Sequence, residues 1–202
     1  MELSAWVSLA AVCVFGAMTP GPSFIVVLKH TVSGGRINGL LASLGQALGV
    51  ACYATLTVLG LAVVIAESPV LFEGIRYASV AFILYLAYQS LTSKSAFAKL
   101  EGQKVTVTYA QSLREGFMIA FVNPKLAVFF LALFSQFIET QASSLQNLVM
   151  VATVSGVDLL WYSIIVMLMS TPTLMAKLRE HMKIVEKITG LALLTVAARV
   201  AF

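Results

Sequence analysis

Long apolar runs separated by short polar stretches set the pattern of this chain. Six runs reach about the 20 residues that a membrane-crossing helix needs: about 4–28, 40–66, 70–92, 116–138, 145–170 and 184–202. Only Glu67-Ser68-Pro69 lies between the second and third, which predicts a tight turn. The longest polar stretch, Ser93 to Glu115, divides the chain into halves at about 1–92 and 113–202. A second basic segment, 171–187, opens with Thr171-Pro172, a helix-stop signal. The pattern predicts one all-α integral membrane domain over 1–202, with six transmembrane helices and no appended soluble domain. The first run starts with Glu2 rather than basic residues and outlasts a signal-peptide core, so it is expected to be a membrane helix and not a cleaved leader.

Two of the runs are interrupted by proline beside polar residues. Thr19-Pro20-Gly21-Pro22 lies in the first and Asn123-Pro124-Lys125 in the fourth. Proline lacks an N–H and clashes with the preceding turn, and glycine adds freedom in φ. Lipid cannot satisfy the freed backbone groups, so a broken helix is expected only where protein or a water-filled cavity lines it. Broken helices in both halves point to a transporter with its site near the midplane. With three helices per half, any repeat must be inverted, although both breaks then fall at similar depth rather than at mirrored depths. Each new helical turn after a break presents unpaired N–H groups and partial positive charge, suited to a carboxylate. Thr19 and Ser23 add hydroxyls there; the plainer reading is a structural kink packed against a neighbour.

Composition strengthens the membrane reading. The chain is 59% hydrophobic and 11% charged, against about 45–50% and about 25% in soluble domains. A net charge of +4 would suggest nucleic acid as a partner in a soluble protein. Here the basic residues fall between apolar runs, where they set topology, and no nucleic-acid-binding motif is present. Lys29, Arg36, Lys94, Lys99, Lys104, Arg114, Lys177, Arg179, Lys183 and Lys187 lie in the loops of one side, and Arg76 and Arg199 on the other. Ten against two puts the three basic loops in the cytoplasm and both termini outside.

The ionisable residues inside the runs are the next candidates. Lys125 and Asp158 are the two clearest, one of each sign, and a charge in a span is a functional hypothesis by default. They pair as a structural salt bridge, or Asp158 takes up a coupling proton or meets a substrate ammonium while Lys125 receives a carboxylate or tunes Asp158. Gly39, Gly45 and Gly49 in the second run form a small-residue face for close helix packing, with Gln46 beside it as a residue that could line a path. Trp161 and Tyr162 are the aromatic candidates for the site. Cys13 and Cys52 lie in apolar runs with no C-x-x-C spacing and are expected to be reduced packing residues. His30 and His181 lie among basic loop residues and are expected to be solvated. No ligand-spaced cluster, phosphate loop or nucleophile motif is present, so neither a metal, nor a cofactor, nor an enzymatic reaction is expected.

Taken together, these residues resemble the lysine exporter/homoserine-threonine resistance (LysE/RhtB) family. The resemblance rests on Thr19-Pro20-Gly21-Pro22, the Gly39, Gly45 and Gly49 helix, Asn123-Pro124-Lys125 and Gln136-Phe137, and covers essentially the whole chain. Ser135 stands where proline is common before Gln136-Phe137, and the stretch Ala78–Ala87 of the third run lacks the usual glycines. The resemblance implies export of amino acids or related small amines across the bacterial inner membrane, driven by proton antiport. The substrate would sit near Pro20–Ser23 and Asn123–Lys125, with the proton or the ammonium at Asp158. Competing readings are a membrane thiol/redox carrier and a passive channel. A homo-oligomer is possible through the small-residue face.

Overall fold

The computed structural model describes residues 2–92, 106–137, 143–171, 180–181 and 184–195. They are helical throughout: α1 (Leu3–Met18), α2 (Pro22–Glu67), α3 (Pro69–Thr92), α4 (Tyr109–Val122), α5 (Pro124–Phe137), α6 (Ser144–Met169) and α7 (184–195). By length and apolar content, two helical stretches can cross a membrane, Pro22–Leu61 and Ser144–Met169. A third qualifies if α4 and α5, bent by 62° at their break, count as one span. Leu3–Met18 and Val80–Thr92 are shorter apolar helices.

Proline places most of the breaks. A residue before proline is pushed out of the helical region by the pyrrolidine ring. Thr19 (ψ 114°), Gly21 (ψ −169°), Ser68 (ψ 82°) and Asn123 (ψ 102°) all precede proline, and all have left helical geometry. Proline then opens the next helix, where its missing N–H would have had no partner anyway. The expected turn at Glu67-Ser68-Pro69 is thus a single residue, Ser68, between α2 and α3.

The region between the first two runs differs from the sequence reading. Lys29 and Arg36 were expected in a loop, but α2 is helical from Pro22 onward and is interrupted only at Gly35. Gly35 takes φ 78° and ψ −173°, a conformation essentially reserved for glycine. No proline is involved, so the segment Pro22–Gly34 is a separate helical rod between two breaks. The fourth element likewise begins earlier than the expected residue 116: Thr108 caps α4 by accepting the Gln111 N–H, and the helix starts at Tyr109. The expected stop at Pro172, most of the basic segment 171–187, the loop 93–105 and Arg199 lie outside the described residues.

Three buried clusters hold the helices together. The largest joins Leu9 and Cys13 of α1, Val50, Ala54, Val58 and Leu61 of α2, Phe129, Phe130, Leu133 and Phe134 of α5, and Met150 and Val154 of α6. The second packs the rod (Phe24, Val27, Leu28) against Tyr162, Ile165, Val166 and Met169 of α6. The third joins Ile83 and Ala87 of α3, Ala132 of α5 and Leu193 of α7. Lipid tails are as apolar as these side chains, so helix association here draws on close packing rather than on water exclusion. The contact of α2 with α4 is the tightest: a methyl on Gly45 would run into the Leu113 carbonyl, one on Gly49 into the Phe117 carbonyl, and one on Gly116 into the Ala42 carbonyl. Gly39 instead faces the Thr31 side chain and Val166.

Candidate functional site

Asn123 is the residue that brings the two breaks together. It ends α4, its N–H donating to the Ile119 carbonyl, and it starts α5, its Oδ1 accepting the Lys125 N–H at 3.1 Å. Its Nδ2 then donates to Ser23 Oγ at 3.0 Å, in the first turn of the rod. Both residues are buried, Asn123 2% and Ser23 3% exposed. Ser23 and Tyr162 of α6 line one cavity. One amide thus caps one break and ties it to the other.

Lys125 answers where the backbone acceptors of the first break go. Its Nζ donates to the Gly16 carbonyl at 3.1 Å and to the Thr19 carbonyl. These oxygens belong to the end of α1, which carries the negative end of the helix dipole. The ammonium therefore caps α1 from α5. Gly21 makes room for this stem, since a Cβ there would press on Lys125 Cδ at 3.3 Å.

Asp158 faces the same cavity from α6, with Cys13, Gly16, Ala17, Ser23, Leu126, Phe129, Phe130 and Val154 also contributing walls. It is 7% exposed, and its Oδ2 has no hydrogen-bond partner. No ion pair within 4 Å joins it to Lys125 among the described residues, so the two charges look onto one space without closing on each other. The cavity has about 20 Å³, room for one water. An amino acid does not fit unless the walls separate.

The remaining expected site residues are distributed less evenly. Thr19 is buried at the end of α1, with its hydroxyl bonded back to the Phe15 carbonyl at 3.0 Å, so it is spent within its own helix. Pro20, Gly21 and Pro22 form the break. Gln46 is fully buried on α2 with neither side-chain polar atom partnered. Trp161 packs on the second cluster with its Nε1 buried and unpartnered. Neither residue lines the cavity. The two cysteines are free, Cys13 buried and Cys52 exposed.

His30 corrects the sequence reading. It was expected to be solvated in a loop, and it is fully buried on the rod. Its Nε2 lies 2.9 Å from Glu115 Oε2 and its Nδ1 2.9 Å from Ser112 Oγ. The spacing from Ser23 through Val27 to His30 carried the signal: positions i, i+4 and i+7 share one helix face. The flanking Lys29 and Arg36 masked it by resembling a loop. Glu115 was missed for the same reason, as the last residue of the expected long loop.

No solved structure matches this chain. It is 29% identical over 201 residues to the Bacillus subtilis (strain 168) uncharacterized membrane protein YrhP, covering 95% of this chain and 94% of that protein. It is 33% identical over 144 residues to the leucine efflux proteins of Salmonella choleraesuis (strain SC-B67) and Salmonella typhimurium (strain LT2), covering 69% of this chain and 66% of each of theirs. Residues 14–202, which include both breaks, Lys125 and Asp158, match the LysE type translocator family. The chain belongs to that family of membrane translocators.

Proposed function

We propose that this chain is a secondary exporter of amino acids or related small amines, working by proton antiport across the bacterial inner membrane. In this reading it crosses the membrane six times with its basic loops in the cytoplasm. The family and the efflux proteins among its relatives support export of an amino acid. The observation that carries the mechanism is the partnerless Asp158 Oδ2 in a cavity where two helix breaks meet.

Asp158 is the group with chemistry left to do. A buried carboxylate oxygen with no donor is destabilised until a proton or an ammonium arrives. Either one satisfies it, so substrate ammonium and proton compete for the same oxygen. Competition at one acid is sufficient for antiport: the proton displaces the substrate on one side, and the substrate displaces the proton on the other. An apolar side chain such as that of leucine, which the efflux relatives are named for, fits the walls, because Leu126, Phe129, Phe130 and Val154 surround the acid with apolar surface.

The substrate carboxylate has a more demanding route than the sequence suggests. The N–H of Lys125 is already taken by Asn123, and two of the three ammonium donors by the α1 carbonyls. One donor is left for a carboxylate, and a second bond to the ligand draws Lys125 off the Gly16 or Thr19 carbonyl, which uncaps α1. Opening of the first break and binding of the substrate then become one event.

Efflux from proteoliposomes preloaded with an amino-acid mixture, with and without an imposed pH gradient, tests this reading. Selective loss of one or a few amino acids that responds to the gradient supports it. Unselective loss, or loss indifferent to the gradient, overturns it in favour of a passive pore.

A further inference from the structure

The rod Pro22–Gly34 has an arrangement that the proposed site does not use. It spans about 13 residues, or roughly 20 Å, and is bounded by extended Gly21 at one end and by Gly35, with φ 78°, at the other. Its first turn holds Ser23 against Asn123. Two turns on, it holds Lys29 and His30 against α4. A stiff segment between two hinges transmits a displacement at one end to the other, so the contacts at the His30 end bear on the Ser23 end.

We infer that His30 is a second proton-binding site, and that the proton it holds latches this rod to α4 and to the helix beyond Gly35. The inference follows from counting donors. Asn38, on the far side of Gly35, has its amide fixed by Nδ2 donating to the Gly34 carbonyl at 2.7 Å, which leaves its Oδ1 as an acceptor. Ser112 Oγ lies 2.7 Å from that Oδ1 and 3.0 Å from the Thr108 carbonyl. Its single proton can serve one of three acceptors, and the shortest contact, 2.7 Å to an Asn38 oxygen that has no hydrogen of its own, cannot form without it, so the contact with His30 Nδ1 takes its proton from the ring. At the other nitrogen, His30 Nε2 faces a carboxylate oxygen at 2.9 Å and must donate as well. Both ring nitrogens carry protons, and the ring is an imidazolium.

The surroundings accept that charge. Glu115 Oε2 takes His30 and Lys29, each at 2.9 Å, while its Oε1 takes Gln111 Nε2 at 2.8 Å. Arg114 of α4 and Arg36 of α2 are exposed. The helix packed on the other face of the rod, α6, meets it with Ile165, Val166 and Met169, and its one charged residue, Asp158, lies at the Ser23 end. On α7, whose Val185 packs on the same cluster as the rod, the Glu186 carbonyl accepts the Ser90 hydroxyl of α3 and Lys187 is exposed. Glu115 is thus the carboxylate that pairs the imidazolium, with Lys29 as its second cation.

Loss of either ring proton breaks a tie. Without the Nε2 proton, two acceptors face each other at 2.9 Å, and the rod is pushed from α4. Without the Nδ1 proton, Ser112 must turn its own proton to the ring and release Asn38, which unties α4 from the helix beyond Gly35. Protonation of His30 and closure of the latch are one equilibrium. Its bearing on transport rests on the export reading above; the latch itself does not.

The test uses the full chain in lipid nanodiscs, labelled with ¹⁵N-histidine, with exposed His181 replaced by Gln so that one ring reports. The expected result is a doubly protonated ring that loses its second proton in the same pH range in which amides 23–34 lose protection, measured against the intrinsic exchange rate at each pH. The expected loss of protection is about tenfold, the equivalent of one charge-assisted hydrogen bond. Protection in 36–67 stays unchanged. E115Q removes the carboxylate that requires the Nε2 proton, and should abolish the link between pH and protection of the rod. A singly protonated ring throughout, or protection of 23–34 indifferent to pH, overturns the latch without needing any variant at His30 to fold. Efflux on the same samples separates the two readings. A latch without amino-acid efflux removes the export reading alone, and efflux with a neutral His30 removes the latch alone.

Discussion

Asn123 and Ser23 stand 100 positions apart in the chain and 3.0 Å apart in space, and their hydrogen bond is where the two helix breaks become one site. Asn123→Ala removes that bond and the cap on α5 together. The loss should be about 1–3 kcal/mol, since it leaves a buried hydroxyl and a backbone N–H short of partners. Asn123→Asp keeps an acceptor for the Lys125 N–H and loses the donor to Ser23. Thermal unfolding in nanodiscs should therefore rank wild type above Asp and Asp above Ala. Efflux should fall most in the Ala variant, which releases Ser23, and less in the Asp variant, whose carboxylate can accept the Ser23 hydroxyl proton. Equal unfolding temperatures would show that the cap contributes nothing.

Lys125 offers a sharper contrast between stability and transport. Its ammonium satisfies the Gly16 and Thr19 carbonyls, which lipid cannot. Lys125→Met strands both, at about 1.5–3 kcal/mol, the range for hydrogen bonds to a charged group. Lys125→Arg can still reach carbonyls with its fork of donors but is bulkier beside Gly21. Arg is expected to retain most of the thermal stability and to lose transport, because the guanidinium cannot move between carbonyls and substrate in the space a Lys stem fills. If Met unfolds at the wild-type temperature, the capping role is wrong.

The breaks were legible in the sequence because proline acts locally: Pro20, Pro22, Pro69 and Pro124 each force the residue before them out of the helix, whatever the tertiary context. The charged pair Lys125 and Asp158 was legible for a similar reason, since charge in an apolar run stands out without a fold. What they bond to was not legible. Lys125 turned to carbonyls 106 and 109 residues away rather than to Asp158, and that choice depends on where α1 ends in space. The rod was missed because Lys29 and Arg36 look the same on a solvated loop and on the polar edge of a helix. Gly35 gives no sign in one sequence that it takes φ 78° rather than an ordinary loop angle.

The α2–α4 contact predicts an asymmetry among the glycines. At Gly45 and Gly116 the obstacle to a methyl is a backbone carbonyl, that of Leu113 and of Ala42 respectively. Backbone cannot swing aside as a flexible side chain can, so G45A and G116A should each cost about 1–3 kcal/mol through forced separation of the helices. Gly60 and Gly74 meet nothing within 4 Å. Alanine there should be neutral or slightly stabilising through helix propensity. Unfolding temperatures of the four variants, measured side by side, check the contrast. A G60A variant as damaged as G45A would mean that the glycines act through something other than this contact.

Asp158 is the residue at which the proposed coupling is tested. Asp158→Asn keeps a carbonyl oxygen toward the cavity, so a substrate ammonium still finds an acceptor, but the side chain no longer exchanges a proton. The variant should bind substrate and carry out exchange of internal for external amino acid, a process that needs no proton movement. Uphill efflux driven by a pH gradient should be abolished. Counterflow and gradient-driven efflux measured on one proteoliposome preparation distinguish these activities. Retention of both would assign the coupling proton to another group. Loss of both would mean that the carboxylate charge itself, not its protonation, holds the substrate in place between the two breaks.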